Sequence, residues 1–476
     1  MNVDTTYQVA EGFWVGPHPG RIDGGTPGER IPFLQRQGVR CVVDLTSPAD
    51  ALVMPSDALR GALGDVVVHS FPITDMGVPS VPLMLAILDC IDAAQAQQQP
   101  IYLHCAAGIG RSGTVVACWL IRHGVAPNAV LDRLATLRGV LHAMAPAPEA
   151  AVQRAFVLQW REPTAERAVR IRAFRDRYRG ALLGLAVGDC IGMPLEFKQP
   201  DSRILKGMES GNAFDVPMGS WTDDTSMALC LADSIITTGG FDPHDQMQRY
   251  LRWWHDGLWS SIGRCFDIGL TVADALSTYR SDADPYRGST DPNTAGNGSL
   301  MRLAPIPMAF GYDAMLCAAM ARDSSRTTHG APTALDACAV YAHYVAAALR
   351  GIPRALYLAS YPGTVATPEI RDIVNGSYAT KSPPVIVGSG YVVKSMEAAL
   401  WAFARNESYQ AATLDAANLA NDADTTAAIC GMLAGAHWGE SAIPTAWLDI
   451  IARRRDIEWL AEELLRQSWA GWEHTV

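Results

Sequence analysis

Near residue 160 the period of the hydrophobic pattern changes, and one layered core cannot accommodate both halves. Upstream, short β-rich runs alternate with helical stretches. Cys41-Val42-Val43-Asp44-Leu45, Val66–Phe71 and Ile101–His104 read as buried strands, and residues 82–96 and 112–123 carry helical spacing with few breakers. That alternation predicts an α/β fold with a mostly parallel central sheet. From about residue 180 onward the chain is rich in Ala, Leu and Met at helical spacing, for example over 225–237, 330–349, 391–404 and 424–436. Strand signals there are few, which predicts a large all-α domain. A length of 476 residues also asks for more than one domain. Between the halves lie Pro163 and the arginines 161, 167, 170, 172, 175, 177 and 179, read as a linker running into a helix with a solvated face. The expected division is 1–162, a linker over 163–174, and 175–476.

The net charge of −11 offers no broad basic field, which argues against general nucleic-acid or membrane-surface binding. The ten cysteines form no CxxC pair, and Cys41, Cys118, Cys230 and Cys430 sit in apolar stretches where cysteine acts as a small hydrophobe. A disulfide framework is not expected at this size. Residues 1–20 lack a charged start followed by an apolar run, and no stretch of about 18 apolar residues is free of charge. The expectation is a soluble, cytoplasmic protein.

Two groups of residues carry chemistry. The first is His104-Cys105-Ala106-Ala107-Gly108-Ile109-Gly110-Arg111-Ser112-Gly113, placed where a strand ends and a helix begins. Such a turn aims successive N–H groups at one point, and the helix start adds positive potential. Both favour a thiolate at Cys105 and would hold the oxygens of a phosphate, with Gly108 and Gly110 supplying the close backbone. Arg111 can add two parallel hydrogen bonds that lysine cannot copy. A thiolate there can attack phosphorus and form a covalent intermediate. Asp75, in the turn Pro72–Pro79, is the candidate acid for the leaving oxygen, although aspartate is also an ordinary turn residue.

This segment resembles the His-Cys-x5-Arg-Ser signature of the protein tyrosine phosphatase superfamily. The aspartate upstream resembles its compact dual-specificity branch, as do Trp14-Val15-Gly16-Pro17 and Val43-Asp44-Leu45-Thr46. The resemblance covers residues 10–160. It implies Cys105 as nucleophile, Arg111 as phosphate ligand, Asp75 as general acid and Ser112 as a helper of thiolate departure.

The second group is Thr222-Asp223-Asp224-Thr225 and Asp422-Ala423-Asp424-Thr425, each opening an apolar helix. Either cluster alone also serves as a helix N-cap. Carboxylates and hydroxyls without His or Cys suit Mg²⁺, Ca²⁺ or Mn²⁺ rather than zinc. Four carboxylates meeting from two helix starts would repel one another unless cations intervened, and two ions there could polarise a water.

Residues 177–196, Arg-Tyr-Arg-Gly-Ala-Leu-Leu-Gly-Leu-Ala-Val-Gly-Asp-Cys-Ile-Gly-Met-Pro-Leu-Glu, resemble the opening of the ADP-ribosylglycohydrolase family. That family includes the dinitrogenase reductase-activating glycohydrolases and the ADP-ribosyl-acceptor hydrolases. Ser220–Thr225, Gly296–Arg302, Thr328-His329, Gly390–Val393 and Asn421–Ile429 match its further motifs in order. Ala420-Asn421 departs, standing where a glycine pair is common. The resemblance implies an all-α fold and a binuclear Mg²⁺ centre, with Mn²⁺ as a substitute. It implies Thr222, Asp223, Asp224, Asp422, Asp424 and Thr425 as metal ligands and Glu196 beside them as occasional ligand or acid/base. It implies the Gly296, Asn297, Gly298 and Ser299 backbone as an N–H nest for pyrophosphate, with His329 and Tyr391 lining the pocket. On the residues alone, His329 also reads as a capping or core histidine and Tyr391 as a packing residue.

Together these imply a bifunctional hydrolase. One domain would cleave the ADP-ribose C1″ bond to an acceptor, on an ADP-ribosylated protein or an ADP-ribose-containing small molecule. The other would hydrolyse a phosphorylated substrate through phosphocysteine. The alternative keeps the first activity and makes the phosphatase-like domain a phosphate-binding targeting module.

Overall fold

The computed structural model describes residues 5–20, 30–50, 61–200 and 202–476, so the first four residues of the N-terminal stretch lie outside the described ones. Two compact units result, Met1–Arg172 and Ala173–Val476.

In the first unit, strands β1 (Tyr7–Ala10), β2 (Phe13–Pro17), β3 (Cys41–Asp44), β4 (Val67–Ser70) and β5 (Ile101–Cys105) form one sheet in the order β1-β2-β5-β3-β4. β1 and β2 pair antiparallel, and the other pairs are parallel. All five residues of β5 are buried, as expected of a central parallel strand covered on both faces. Helices α1 (Arg30–Arg36), α2 (Val81–Ala96), α3 (Gly110–Arg122), α4 (Val130–Arg138) and α5 (Ala151–Gln159) accompany the sheet. α2 starts where the sequence allows it: Ser80 Oγ accepts from Leu83 N at 3.2 Å, and proline occupies the first turn. Its Leu85, Ile87, Leu88 and Ile91 are fully buried, each worth roughly 1.5–3 kcal/mol of apolar burial.

The expected linker is not an extended segment. Helix α6 runs unbroken over Ala165–Gly192, so the boundary between the units falls inside it. The physical reason is that neither glycine nor proline interrupts residues 164–179, and the arginines are good helix formers.

The second unit is helical. The helices that build its site are α7 (Asp223–Thr238), α8 (Leu270–Asp282), α9 (Pro332–Leu349), α10 (Val392–Arg405) and α11 (Ala423–Trp438), with α12 (Arg454–Trp472) closing the chain. The C-terminal part of α6 lies antiparallel to α11 at backbone contact. Gly180, Gly184, Gly188 and Gly192 repeat every four residues and so share one face. A Cβ on them would stand only 2.3, 2.4, 2.2 and 2.3 Å from the carbonyl oxygens of Gly435, Gly431, Ala427 and Ala423 respectively. Only hydrogen at these positions permits the approach. Farther along, Glu196 reaches the start of α11, while Asp189 on α6 meets the loop that opens α7. No helix among the described residues is long and apolar enough to cross a membrane.

Candidate active sites

Cys105 ends β5 and is buried, with Gly108 N 3.2 Å from its sulfur. The turn is tight: Gly108 has φ +70°, and a Cβ there would meet the Gly16 carbonyl carbon at 2.3 Å. Helix α3 begins at Gly110, so the strand, turn and helix start stand as expected. Gly110 lies against the buried Gln153 of α5, whose Nε2 donates to Gly77 O at 3.0 Å and so ties down the loop carrying Asp75.

Arg111 is buried, and most of its donors are engaged. Its Nη1 and Nη2 each donate to one oxygen of Asp50 at 2.7 Å, and Nη1 also donates to Ile73 O at 2.9 Å. Nη2 lies 3.0 Å from Asp75 Oδ1, whose side chain is 69% exposed. Among the described residues Nε has no hydrogen-bond partner. The parallel pair of bonds expected for phosphate thus goes to Asp50, and the edge facing a ligand is Nε with Nη2, the latter shared with Asp75. Beside Arg111, the Asp50 carboxyl lies below the usual range; burial opposes this, and the guanidinium outweighs it. Ser112 Oγ is buried without a hydrogen-bond partner, so its proton is uncommitted. Asp50 carried no sequence signal, because only the fold brings it to Arg111, 61 residues away.

In the second unit the two acidic clusters meet. Thr425 Oγ1 lies 3.4 Å from Asp224 Oδ2 across 201 residues of sequence. Carboxylate oxygens of Glu196, Asp422 and Asp424 all fall within 4.8 Å of one another. They border a cavity of about 340 Å³ whose lining includes Glu196, Asp223, Asp267, Asp422, Asp424 and Thr425. Among the described residues no lysine or arginine lines it.

Burial leaves these acids strained electrostatically. It pushes Glu196 up to about 7 and Asp422 up to about 6. It drives Asp223, Asp224 and Asp424 well above the carboxylate range, with neighbouring carboxylates adding to the effect. Asp224 Oδ1 is fully buried and has no partner. Oxygen donors, converging negative charge and an orphaned carboxylate oxygen fit hard divalent cations. Thr222 is one step removed: its hydroxyl lies 3.1 Å from both Asp189 Oδ1 and Asp224 Oδ2, with one proton to give between them.

Two acids escaped the sequence reading. Asp189 is wholly buried in α6 and accepts from Thr222 N, Thr225 N and both threonine hydroxyls, so it holds the loop that opens α7. Asp267 lines the cavity just before α8. Glu196 Oε2 likewise accepts from Ala423 N at 2.9 Å and caps α11.

The glycine loop sits on the same cavity. Gly296 N donates to Thr294 O at 2.7 Å and Asn297 N to Gly390 O at 3.0 Å; Gly296, Asn297 and Gly298 line the cavity, and Ser299 does not. Asn297 Nδ2 donates to Asp422 Oδ2 at 2.6 Å, orienting that carboxylate. Ser299 Oγ accepts from Ser325 and Cys338 inside the core. His329 lines the cavity against Gly298, where a Cβ would meet its ring at 2.8 Å. Burial and the nearby Arg302 push it down to about 3, so the ring is neutral. Arg302 Nη2 donates to Thr328 Oγ1 at 2.8 Å, and Thr328 Oγ1 lies 2.9 Å from His329 Nδ1. Arg302 and Thr328 thus stand in a row behind the Nδ1 edge of the ring. Tyr391 caps α10 with its side chain 40% exposed; the neighbouring Gly390, not Tyr391, lines the cavity.

The departure at Ala420-Asn421 has a conformational counterpart. Both residues are left-handed, with φ +59° and +63°, the region where glycine is free of strain. Asn421 Nδ2 donates to Gly388 O at 2.8 Å and anchors the turn.

Comparison with known proteins agrees with this geometry. The family profile described as ADP-ribosylglycohydrolase matches residues 170–473. A second, described as polymorphic toxin system, DSP-PTPase phosphatase, matches residues 19–125. The chain is 41% identical over 289 residues to an ADP-ribosylarginine hydrolase Tri1 of Pseudomonas putida, covering 61% of this chain and 78% of that one. It is 30% identical to the ADP-ribosyl-[dinitrogen reductase] glycohydrolase of Rhodospirillum rubrum, covering 57% of this chain and 89% of that protein. A solved ADP-ribosylglycohydrolase-related protein complex contains a chain with 41% identity and a TM-score of 0.57, covering 62% of this chain and 99% of that one.

Proposed function

The chain belongs to the ADP-ribosylglycohydrolase family, and on that footing we propose that its helical unit hydrolyses the C1″ bond joining ADP-ribose to an arginine side chain, while its other unit hydrolyses a phosphate monoester. The observation that carries the first activity is the junction of two acidic helix starts and Glu196 on a cavity that no described lysine or arginine lines. The arginine acceptor is carried over from the Pseudomonas putida relative.

Two Mg²⁺ ions, or Mn²⁺ in their place, would be held by Asp223, Asp224, Asp422, Asp424 and Thr425, with Thr222 supporting Asp224. Bound there, such ions supply the positive charge that orients ribose hydroxyls and acidifies water. The protein's own groups do the rest. Glu196, which caps α11 beside these ligands, can take or give a proton at the scissile bond. The glycine loop at Gly296–Gly298 and the neutral His329 ring, which line the cavity, would meet the pyrophosphate or ribose, with the adjoining Ser299 amide completing the nest. Phe197, 65% exposed on the cavity wall, offers a stacking face for the base.

At the other site Cys105 Sγ would attack phosphorus while Asp75 protonates the leaving oxygen. The incoming phosphate would take the Nε and Nη2 edge of Arg111 and displace Asp75 from Nη2. That exchange moves Asp75 toward the leaving group as the substrate binds. Asp50 would keep the guanidinium plane fixed. Ser112 Oγ, with no other partner, would donate to the sulfur when water releases phosphate.

One experiment tests both units. Asp424→Ala should abolish release of ADP-ribose from ADP-ribosylarginine while phosphomonoester turnover survives, and Cys105→Ser should do the reverse. Chelation should reproduce the first loss, and Mg²⁺ or Mn²⁺ should reverse it. If wild-type chain turns over no phosphomonoester, the phosphatase-like unit is a phosphate-binding module instead.

A further inference from the structure

The first unit holds a cluster that neither activity uses. Cys41 opens β3, His69 lies in the edge strand β4, and Cys90 lies in α2. Their two sulfurs and an imidazole nitrogen all fall within 4.8 Å of one another. The sheet register explains the meeting. His69 pairs with Val43, two residues beyond Cys41, so Cys41 and His69 share a face of the sheet. Cys90 comes to the same face from α2. Three separate elements thus deliver one donor each. All ten cysteines are free thiols, and Cys41, read from sequence as a small hydrophobe, faces two other soft donors.

We propose that Cys41, His69 and Cys90 form a binding site for a soft divalent cation of the zinc class. Two thiolates and an imidazole are the donor set that selects such an ion over Mg²⁺ or Ca²⁺. Tetrahedral zinc with bonds of about 2.0–2.3 Å puts its donors within about 4 Å of one another, which the cluster satisfies with little movement. Binding releases the two thiol protons to solvent and leaves one coordination position for water beside the exposed His69. The site is distinct from the catalytic cysteine. Cys41 pairs with Ile101 at the start of β5, whereas Cys105 ends it, four residues or about 13 Å farther along. The ion would clip the short edge strand β4 to β3 and α2.

The test uses the full-length chain carrying Cys105→Ser, so that the catalytic thiol contributes nothing, with Co²⁺ as the probe under reducing conditions. One equivalent of Co²⁺ should give a sulfur-to-cobalt charge-transfer band and the intense visible bands of a tetrahedral ion, and Zn²⁺ should bleach both. Among the described residues no cysteine lines the carboxylate cavity of the second unit, so it offers no thiolate to produce the first band. Adding Cys41→Ser or Cys90→Ser should remove it. Should those variants fail to fold, His69→Ala, at an exposed position, decides the matter: Co²⁺ affinity should fall at least tenfold with circular dichroism unchanged. The proposal is overturned by a missing charge-transfer band, by a band that survives either cysteine substitution, or by unchanged affinity in His69→Ala. A Cys41–Cys90 disulfide in protein purified under reductant would also overturn it.

Discussion

Gly188→Ala separates two opposed effects on one residue. Helix propensity favours alanine inside a helix by about 1 kcal/mol. Packing opposes it. The new Cβ would stand 2.2 Å from Ala427 O, and ordinary contact begins at 3.4 Å, so α6 and α11 must part by about 1 Å. The neighbour is backbone carbonyl, which cannot rotate away as a side chain would. Overpacking costs typically about 1–3 kcal/mol, and a rigid neighbour places this case at the upper end. The expected net effect is a loss of about 1–2 kcal/mol. The functional effect should be larger, because Asp189 is the next residue and holds the loop that opens α7. A displacement of about 1 Å at a reacting group can cost around a hundredfold in rate. Urea unfolding of the second unit should show a lower midpoint with an unchanged slope. ADP-ribosylarginine hydrolysis should fall at least tenfold, with phosphomonoester hydrolysis unaffected. A variant more stable than wild type and fully active would refute the argument, because propensity would then have won and the glycine stripe would not set the helix separation.

Three further outcomes are expected. Asp75→Asn should slow phosphatase turnover far more for an alkyl phosphate than for an activated aryl phosphate, since only the poor leaving group needs a proton; equal losses would remove Asp75 from that role. In chelator, stability should fall as pH rises from about 4.5 through about 7. Glu196 and Asp422 are raised to about 7 and 6, so within that window the folded chain retains protons the unfolded chain has released. Added Mg²⁺ should flatten the upper part of that profile, and a flat profile in chelator would contradict the burial argument. Ala420→Gly should raise the melting temperature modestly, because relief of a left-handed alanine, about 1–2 kcal/mol, exceeds the entropy gained by the unfolded chain, about 0.4–1 kcal/mol. A lower melting temperature would show that the methyl group's packing outweighs its strain.

Sequence alone determined the elements that are local in the chain. Cys105, the glycine turn and Arg111 lie within seven consecutive residues, so strand, cradle and helix start could be read as one object. The acidic pairs were legible in the same way, because each opens an apolar helix. Four glycines at a spacing of four were in plain view too, but their meaning depends on the partner helix that carries Gly431 and Gly435. Tertiary structure alone decided which distant groups share an environment. Asp50 clasps Arg111, Asp189 holds the loop at Thr222, Arg302 and Thr328 stand behind His329, and Cys41 meets His69 and Cys90. Hydrophobic period and turn chemistry act over a few residues and leave a trace in the sequence. Electrostatic contact and metal ligation act over a few ångströms in space, and only the packing of helices and strands brings such residues within that range.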